Sequence, residues 1–397
     1  MKFLRDIVDK AKVPFEEGGK LERYHHLFAT VETLLFVPNE TTQLKGVQVR
    51  DKNDMKRFMG TVIIALIPAL LFGMYNVGYQ YYEATGLVAS SSWDLWWIGI
   101  QRVIPIVIVS YLFGLLIAEF AFSIIRKHPI SEGYLISGLL IPMVMPPTMP
   151  LWQVAVASVF AVVLAKEAFG GSGMNVLNVA LVARAFLYFA YPSDISGDQV
   201  WVYLGDQMAV DGFSGATPLA LAASTLESGQ NVVQTLAAST TDYSFANLFY
   251  GFVPGSIGET SVLMILIGAA ILIFTGVGSW KVILSVFGGA YLMALLLNLV
   301  GVNEYMLMPP EYHLVIGGLA FGAVFMATDP VTSSQTETGK WIYGFLIGVL
   351  TIIIRVLNPA YPEGIMLAIL FMNVFAPLVD YYVVAANKKR RLKRATV

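Results

Sequence analysis

The chain has 397 residues, of which 56% are hydrophobic and 13% are charged, with a net charge of −2 and a mean hydropathy of +0.67. A soluble globular domain carries about 25% charged residues, so this composition excludes an ordinary soluble domain and predicts a membrane protein of many spans. The absence of cysteine excludes disulfides, thiol catalysis and thiolate-ligated iron–sulfur clusters on this chain.

The N-terminal 57 residues are polar and carry eleven lysines and arginines, and no cleavable signal peptide is visible in them. The four histidines of the chain are scattered, so we predict no metal site. No Gly-rich nucleotide fingerprint or phosphate-binding loop follows a strand pattern. We therefore expect the chain to bind neither NADH nor nucleic acid.

Ten apolar spans follow the N-terminal segment, several of them shorter than the ~20 residues that a straight crossing needs. We place them at 58–75, 103–125, 134–146, 151–165, 176–191, 261–277, 282–300, 313–327, 341–356 and 365–386. The predicted organisation is a cytoplasmic segment (1–57), a first membrane half (58–191), an external loop (192–260), a second membrane half (261–386) and a basic cytoplasmic tail (387–397).

The distribution of basic residues gives the predicted orientation, because lysine and arginine concentrate in cytoplasmic segments. Both ends of the chain are basic, which places both inside and requires an even number of spans. The segment 192–260 has no lysine or arginine and seven acidic residues, so we expect it outside. The turns predicted to be cytoplasmic contain Arg126, Lys127, Lys166, Lys281 and Lys340. Three basic residues lie outside the predicted cytoplasmic segments: Arg102, Arg184 and Arg355.

A short internal sequence repeat divides the ten spans into two halves of five. Glu132-Gly-Tyr-Leu precedes the third span and Glu311-Tyr-His-Leu precedes the eighth; Asn175-Val-Leu-Asn and Arg355-Val-Leu-Asn follow 43 and 44 residues later. Because five is odd, the halves must have opposite orientations, as in many transporters. The predicted fold class is an all-α polytopic membrane protein of about ten transmembrane helices in two inverted five-helix repeats.

Prolines interrupt the third and eighth spans, at 141–150 and at 326–330. In inverted-repeat folds the working site lies where corresponding spans are short or broken. Freed backbone amides and carbonyls line a cavity there instead of facing lipid. We therefore expect the working site at these two interruptions.

The stretch 211–217, Asp-Gly-Phe-Ser-Gly-Ala-Thr, is the candidate modification site of the polar segment. A bare Ser-Gly-Ala-Thr is usually a surface turn, and Thr217-Pro218 is an ordinary helix start. The full heptapeptide resembles the flavinylation motif of bacterial respiratory flavoproteins, in which a transferase links FMN to the last Thr hydroxyl. We expect Ser214, Gly215 and Ala216 to leave the backbone exposed to that enzyme, and Pro218 to open a short helix that favours an attached phosphate.

Together with this motif, four stretches carry a resemblance over essentially the whole chain. They are KEAFGGSGMNVLN at 166–178, RAFLYFAYP at 184–192, MATDP at 326–330 and NPAYPEG at 358–364. The chain resembles the B subunits of sodium-translocating NADH:quinone reductases, a family related to the D subunits of Rnf complexes. The Rnf subunits share the flavin motif but lack a long basic N-terminal segment, which favours the reductase family.

The resemblance implies a ten-helix fold similar to that of urea transporters. It also implies that the chain lies in the bacterial inner membrane, with the flavin loop in the periplasm. It implies FMN bound covalently to Thr217, a non-covalent riboflavin, a quinone substrate and Na+. Electrons would come from partner subunits: an NADH-binding subunit, an iron–sulfur subunit and a second covalent-FMN subunit. One departure concerns a Gly-Gly pair of the family, tied to inhibitors of the quinone site, which is Leu115-Leu116 here.

Several residues have both a structural and a functional interpretation. Glu119 and Asp380, carboxylates inside spans, are snorkelling acids or, by the resemblance, members of the sodium route. The candidate riboflavin ligands either cap half-helices, which is a structural role, or bind the flavin. The candidate quinone residues either anchor the helix at the membrane interface or form the entrance for a quinone. The riboflavin candidates are Gly171, Asn175, Asn178 and Asp329, and the quinone candidates are Glu132, Gly133 and Tyr134.

Two functions are compatible with the sequence. The first is an electron-transfer subunit that takes electrons at an external flavin and passes them to quinone, coupled to Na+ translocation; an Rnf-type D subunit is a variant of it. The second is a redox-free channel of the urea-transporter type. The channel would account for the repeat and the broken helices but not for the motif at 211–217.

Overall fold

A computed structural model of the chain describes residues 8, 10–15, 19, 21, 24, 28, 55–126, 133–197, 201–213, 215–239, 241–358 and 361–395. The described part is helical and contains no strand, which confirms the all-α class. Most of the predicted N-terminal segment, together with Glu132 and Ser214, lies outside the described residues.

Fourteen labelled helices carry the fold in the described part of the chain. The first five are α1 (Met55–Thr85), α2 (Ser92–Tyr111), α3 (Gly133–Met143), α4 (Leu151–Ala161) and α5 (Val179–Ala190). Three short helices follow, α6 (Pro218–Ser228), α7 (Val232–Ala237) and α8 (Phe245–Tyr250). The last six are α9 (Val262–Phe274), α10 (Trp280–Val300), α11 (Pro310–Val315), α12 (Leu319–Phe321), α13 (Glu337–Leu357) and α14 (Ile365–Ala395).

Three of these helices continue into π-helical turns. α2 runs on through Leu112–Glu119 and then an α-helical Phe120–Arg126, α4 runs on through Val162–Lys166, and α12 runs on through Gly322–Met326. Wider turns of this kind occur frequently at functional sites. Glu119 and Lys166 are the last residues of two of them.

Each of the ten predicted spans falls on a helix, or on the pair α11–α12 for the eighth. Within the described residues, six helices are long and apolar enough to cross a membrane, and α3, α5 and α9 are shorter apolar helices. The polytopic membrane class is therefore confirmed. Three boundaries differ most from the prediction: α1 continues ten residues beyond position 75, α2 begins eleven residues before position 103, and α14 includes most of the predicted basic tail.

The packing repeats between the two halves of the chain. In the first half α2 packs on α4 and α4 on α5, and in the second half α10 packs on α13 and α13 on α14. The short third span contacts α5, and the π-helical turn of the eighth span contacts α14. α1 and α9, the first spans of the halves, pack on each other. These matched contacts are what the predicted internal repeat requires.

An arginine lies at the interruption of the third span and another at that of the eighth: Arg102, which is half-buried, and Arg355, which is fully buried. Gly317 separates α11 from α12 with a φ of +68°, a conformation that favours glycine. The Arg355 guanidinium donates to the freed carbonyls of His313 (2.8 Å) and Ile316 (3.3 Å). At the other interruption Arg102 donates to the carbonyls of Pro147 and Met149. The two arginines thus satisfy carbonyl groups that broken helices leave without partners.

The segment between the halves is compact. Its helices α6 and α7 pack together, and α8 contacts α9 and α11. The amides of Ile257 and Gly258 donate to the carbonyls of Met145 and Met143 at 3.1 and 2.7 Å. The segment predicted as a loop is therefore anchored on the first interruption.

Candidate functional site

One pocket, called the Thr217 pocket, lies between the polar segment and the membrane helices. Its space, including the open mouth, is about 690 Å³. It brings together α5, the start of α6, the α11–α12 interruption and the turn before α14. The pocket lining includes the side chains of Arg184, Trp201, Thr217, Ser256, Glu259 and Glu363.

Thr217 is the N-cap of α6, as the Thr-Pro sequence predicts. Its Oγ1 accepts from the amide of Ala220 at 3.3 Å, and its amide donates to the carbonyl of Gly197 at 3.2 Å. Pro218 occupies the first helical position. The expected short helix is therefore confirmed.

The motif is less accessible than its composition predicts. Thr217 is only 8% exposed, and Gly215 and Ala216 are buried. The carbonyl of Gly215 accepts from the Trp201 amide at 3.3 Å, and that of Ala216 accepts from the Tyr243 hydroxyl at 2.7 Å. The expectation of an exposed backbone is wrong, because these bonds hold the motif against its own segment. Asp211, at the beginning of the motif, is exposed.

A buried charge cluster forms the wall of the Thr217 pocket. Arg184 donates to Glu363 Oε2 through both Nε (3.1 Å) and Nη2 (2.6 Å), and to the hydroxyl of Ser256 at 3.1 Å. Its guanidinium lies 5.7 Å from the ring centre of Trp201. Burial, and then the nearby carboxylate of Glu363, raise the pKa of Glu259 well above its usual range, while Arg184 lowers it.

The second pocket, the Asn178 pocket, lies where the two halves meet. Its space is about 830 Å³ including the open mouth, and α1, α3, the end of α4, the end of α9 and the end of the eighth span line it. The structure brings three of the four riboflavin candidates together here. They are Asn175, Asn178 and Asp329.

These residues are held by local hydrogen bonds. Asn178 Oδ1 caps α5 by accepting from the amides of Ala180 (3.1 Å) and Leu181 (3.3 Å). Asp329 accepts from the amide of Val331 (3.2 Å) and the hydroxyl of Thr332 (2.9 Å). Burial raises the pKa of Asp329, and these two bonds lower it. Asn178 thus has the capping role that the structural interpretation assigns, whereas Asp329 closes a turn after the eighth span and caps no helix. Both residues also line the pocket.

The fourth riboflavin candidate, Gly171, does not lie on the pocket wall. It adopts a φ of +98° in the turn between α4 and α5, and Gly173, with a φ of +86°, lines the pocket instead. Among the quinone candidates Gly133 lines the pocket. Tyr134 is fully buried, and its hydroxyl donates to the carbonyl of Ser110 at 3.0 Å. It is therefore neither an interface anchor nor, in this conformation, accessible to a quinone.

One helix joins the two pockets. Asn178 caps the beginning of α5 in one pocket, and Arg184 extends from the same helix into the other. Six residues of α-helix correspond to about 9 Å along the axis. The two pockets are therefore close neighbours in the protein.

Glu119 and Lys166 form an ion pair, and both side chains are almost completely buried. The sequence predicts Lys166 in a cytoplasmic turn, and its side chain is buried at the end of a helix. Glu119, predicted as an unpaired carboxylate inside a span, has Lys166 as its partner. The ammonium group of Lys166 also lies 5.6 Å from the ring centre of Tyr134. Leu115 and Leu116 belong to the π-helical turn that ends at Glu119. Leu115 packs beside Tyr134, and half of Leu116 is exposed.

Asp380 is likewise not an unpaired acid. Its carboxylate accepts from the hydroxyls of Ser334 and Thr336, both at 2.6 Å, and from the amides of Gln335 (2.7 Å) and Thr336 (3.0 Å). These donors precede α13. Asp380, in the middle of α14, therefore fastens this helix to the beginning of α13.

Sequence reasoning missed Glu259, Glu363 and Lys166 as parts of the buried sites. Glu363 occurs in the stretch 358–364 that carries the resemblance, but nothing in the sequence connects it with Arg184, 179 positions away. Glu259 is one of seven acids in a segment taken to be a solvated loop. Only the tertiary structure brings these groups together.

The comparisons with known proteins agree with this architecture. The model of the NQR2, RnfD, RnfE family matches residues 43–389, which is most of the chain. The chain belongs to this family. A relative from Chromohalobacter salexigens is 45% identical over 98% of this chain and 96% of its own length. Relatives from Klebsiella pneumoniae (strain 342) and Yersinia pestis are 46% identical over 98% of this chain and 99% of their own lengths.

All three relatives are named as the B subunit of a Na(+)-translocating NADH-quinone reductase, which is the name of an oxidoreductase subunit. The resemblance predicted from the motifs is therefore confirmed. The family model also covers Rnf subunits, whereas these three full-length relatives carry the name of the sodium-translocating reductase.

Proposed function

We propose that the chain is the membrane electron-transfer subunit of a sodium-pumping NADH:quinone oxidoreductase. It receives electrons from partner subunits at FMN on Thr217, passes them to riboflavin in the Asn178 pocket and delivers them to quinone. The observation that carries the proposal is the pair of pockets on one helix, one holding Thr217 of the flavin motif and the other holding Asn175, Asn178 and Asp329.

The residues of the Thr217 pocket fit an FMN group. Thr217 supplies the hydroxyl, and α6 begins at that residue, so its first amides favour a phosphate. Trp201 and Tyr188 provide aromatic surface beside Arg184. Glu259 Oε1 is buried and has no hydrogen-bond partner among the described residues, so it offers a polar contact for a ring edge. When bound, FMN would supply the one- and two-electron chemistry that these side chains lack.

The residues of the Asn178 pocket fit a second, non-covalent flavin. Phe58, Met59, Val62 and Phe325 give apolar walls, and amide and carboxyl groups occupy one side. This is the usual composition of a cofactor site, in which few polar groups fix the orientation of an apolar ring. In our proposal Asn175 and Asn178 orient riboflavin and Asp329 contacts its polar edge or ribityl chain.

We keep the beginning of α3 as the quinone site and Glu119 and Asp380 as members of the sodium route. Gly133 reaches the wall of the Asn178 pocket, so a head group near α3 would lie beside the proposed riboflavin. The ammonium group of Lys166 already pairs with the carboxylate of Glu119. A sodium ion that binds Glu119 would therefore have to displace the ammonium group of Lys166.

Thr217→Ala in the assembled complex tests the electron route. The variant should lose quinone reduction and in-gel flavin fluorescence after denaturation, while NADH oxidation by artificial acceptors at the partner subunit continues. Quinone reduction at the wild-type rate without fluorescence would contradict the route. A chain that never carries flavin, in cells that express the transferase, would favour the redox-free channel.

A further inference from the structure

A groove between α13 and α14 shares no residue with the Thr217 pocket or the Asn178 pocket. Its space, including the open mouth, is about 780 Å³. Apolar walls run along it, and they belong to Ile342, Val379 and Val383. Polar groups lie at the end where α13 begins, and they belong to Thr338, Asn387 and Arg390. The groove therefore combines an apolar trough with a polar, basic end.

The polar end of the groove lies at the level of the lipid headgroups. α14 has 31 residues, so it is about 46 Å long, whereas the hydrocarbon core of a bilayer is about 30 Å thick. The last turns of α14, which carry the basic tail, must therefore stand outside the hydrocarbon. Near the beginning of α13, the rings of Trp280 and Trp341 are 5.6 Å apart, and Tyr382 on the groove wall is exposed. Tryptophan and tyrosine concentrate at membrane interfaces, so these three residues mark the boundary.

The same end of the groove is positively charged. From 387 to 395 the chain has six basic residues and no acidic one. Glu337, the acid in the first turn of α13, pairs with Lys281 and, at 2.8 Å, with Lys340. Arg390 is exposed and has no ion-pair partner among the residues that the structure describes. An anionic group would supply the counter-charge that this end lacks.

The walls of the groove are held in a fixed relation. Asp380 accepts four hydrogen bonds from the segment before α13, which tie α14 to the beginning of that helix and offset the charge of this carboxylate. Along α14, Val383, Asn387 and Arg390 follow at intervals of four and three residues, so they share one face. Arg391 is rotated by about 100° from Arg390 and does not line the groove.

We propose that the groove between α13 and α14 binds one anionic phospholipid of the leaflet beside the basic tail. Arg390 and Asn387 donate hydrogen bonds to its phosphate, because a guanidinium can bind phosphate through two parallel N–H groups. One acyl chain lies along Ile342, Val379 and Val383. A soluble phosphate would leave these apolar walls uncovered, so a lipid is the occupant that fits. The inference does not depend on the flavin chemistry proposed above.

Photo-crosslinking in the assembled complex tests the occupant. The complex is placed in phosphatidylcholine vesicles that contain a small fraction of phosphatidylglycerol with a diazirine in its acyl chain. After illumination, this lipid should be attached to the peptides that contain Ile342 and Val383, and a phosphatidylcholine with the same diazirine should label them far less. Equal labelling by both lipids overturns the proposal. Labelling by neither, as a partner subunit seated in the groove would produce, also overturns it.

Two substitutions that remove one charge each distinguish a site from a general attraction to anionic lipid. Arg390→Gln should reduce labelling of the groove by phosphatidylglycerol at least about 5-fold, the factor expected for one basic residue at an anionic membrane surface. Arg391→Gln removes the same charge from another face of α14 and should leave labelling near the wild-type level. Ala386→Trp fills the groove without changing its charge and should abolish labelling. Equal losses in Arg390→Gln and Arg391→Gln would contradict a defined site.

Glycerol phosphate distinguishes the lipid from a soluble phosphate ester. An excess of it should leave the labelling of the wild-type groove unchanged, and displacement of the lipid would overturn the assignment. Flavin content, measured in the same samples, should stay at the wild-type level in Arg390→Gln because this residue lies outside both pockets. This control shows that the variant is folded, and it keeps failure of the lipid site distinct from failure of the electron route.

Discussion

At the scale of single residues, the charged groups inside the membrane helices have partners that the linear sequence hides. Glu119 pairs with Lys166, Arg184 with Glu363, and Arg355 with backbone carbonyls. Such groups are expensive in the membrane and persist where they are paired or functional. For Glu119, a structural role in an ion pair and a functional role in the sodium route can be separated by experiment.

A double-mutant cycle tests the structural role of the ion pair between Glu119 and Lys166. Removing one partner leaves an unpaired buried charge, so Glu119→Gln and Lys166→Met should each destabilise the chain by about 3–5 kcal/mol. The double variant should cost clearly less than the sum of the two, as thermal unfolding of the purified chain would show. Additive losses would contradict the ion pair.

The same variants test the sodium route. If Glu119 is on that route, the sodium concentration for half-maximal quinone reduction should rise in Glu119→Gln and fall in Lys166→Met, because lysine competes with the ion. Unchanged sodium dependence in both assembled complexes would leave Glu119 with a structural role only.

At the scale of elements, residues at the beginnings of helices form the sites. Asn178 caps α5, Thr217 caps α6 and Asp380 binds the segment that caps α13. An N-cap contributes about 1 kcal/mol through one hydrogen bond to a free amide. The same side chain can therefore stabilise a helix and face a ligand, and substitutions must distinguish these effects.

Asn178→Ser makes this distinction at the Asn178 pocket. Serine is also a good N-cap, so α5 should keep its stability, whereas Asn178→Leu should lose about 1 kcal/mol. Both variants remove the amide that we assign to riboflavin binding. Extracted non-covalent riboflavin should fall in both variants while FMN on Thr217 remains. Full riboflavin content in Asn178→Ser would place this cofactor elsewhere.

The helices were predictable from sequence, and their irregular turns were not. Apolar runs between polar turns predict the ten spans and prolines predict the break after α3, whereas the break at Gly317 was not predicted. The π-helical turns at Glu119 and Lys166 have no local sequence signal. The flavin motif was identifiable because its residues are contiguous. The ion pair of Arg184 and Glu363 was not, because it depends on a contact across 179 positions that only the packed structure creates.

At the scale of the whole molecule, the account requires the two ends of the chain and the Thr217 segment to lie on opposite sides of the membrane. The basic tail continues α14, and the segment that contains α6 has no lysine or arginine. Since the chain has no cysteine, single cysteines report these positions directly.

Ser224 in α6 and Asn387 in α14 are both exposed and form a matched pair for labelling. In intact cells a membrane-impermeant maleimide should label Ser224→Cys and should label Asn387→Cys only after the inner face is opened, because basic segments stay inside. The opposite pattern would invert the topology, and labelling of both from outside would refute it.

The central claim is that Thr217 carries FMN through its side-chain oxygen. Its most direct measurement is the intact mass of the full-length chain from cells that express the transferase. The account predicts the polypeptide mass plus one FMN less one water for the wild type, and the bare mass for Thr217→Ala and Thr217→Asn. Asparagine keeps an N-cap but has no hydroxyl, so it separates loss of attachment from loss of helix stability. A wild-type chain at the bare polypeptide mass, or a Thr217→Asn chain that still carries FMN, would contradict the account.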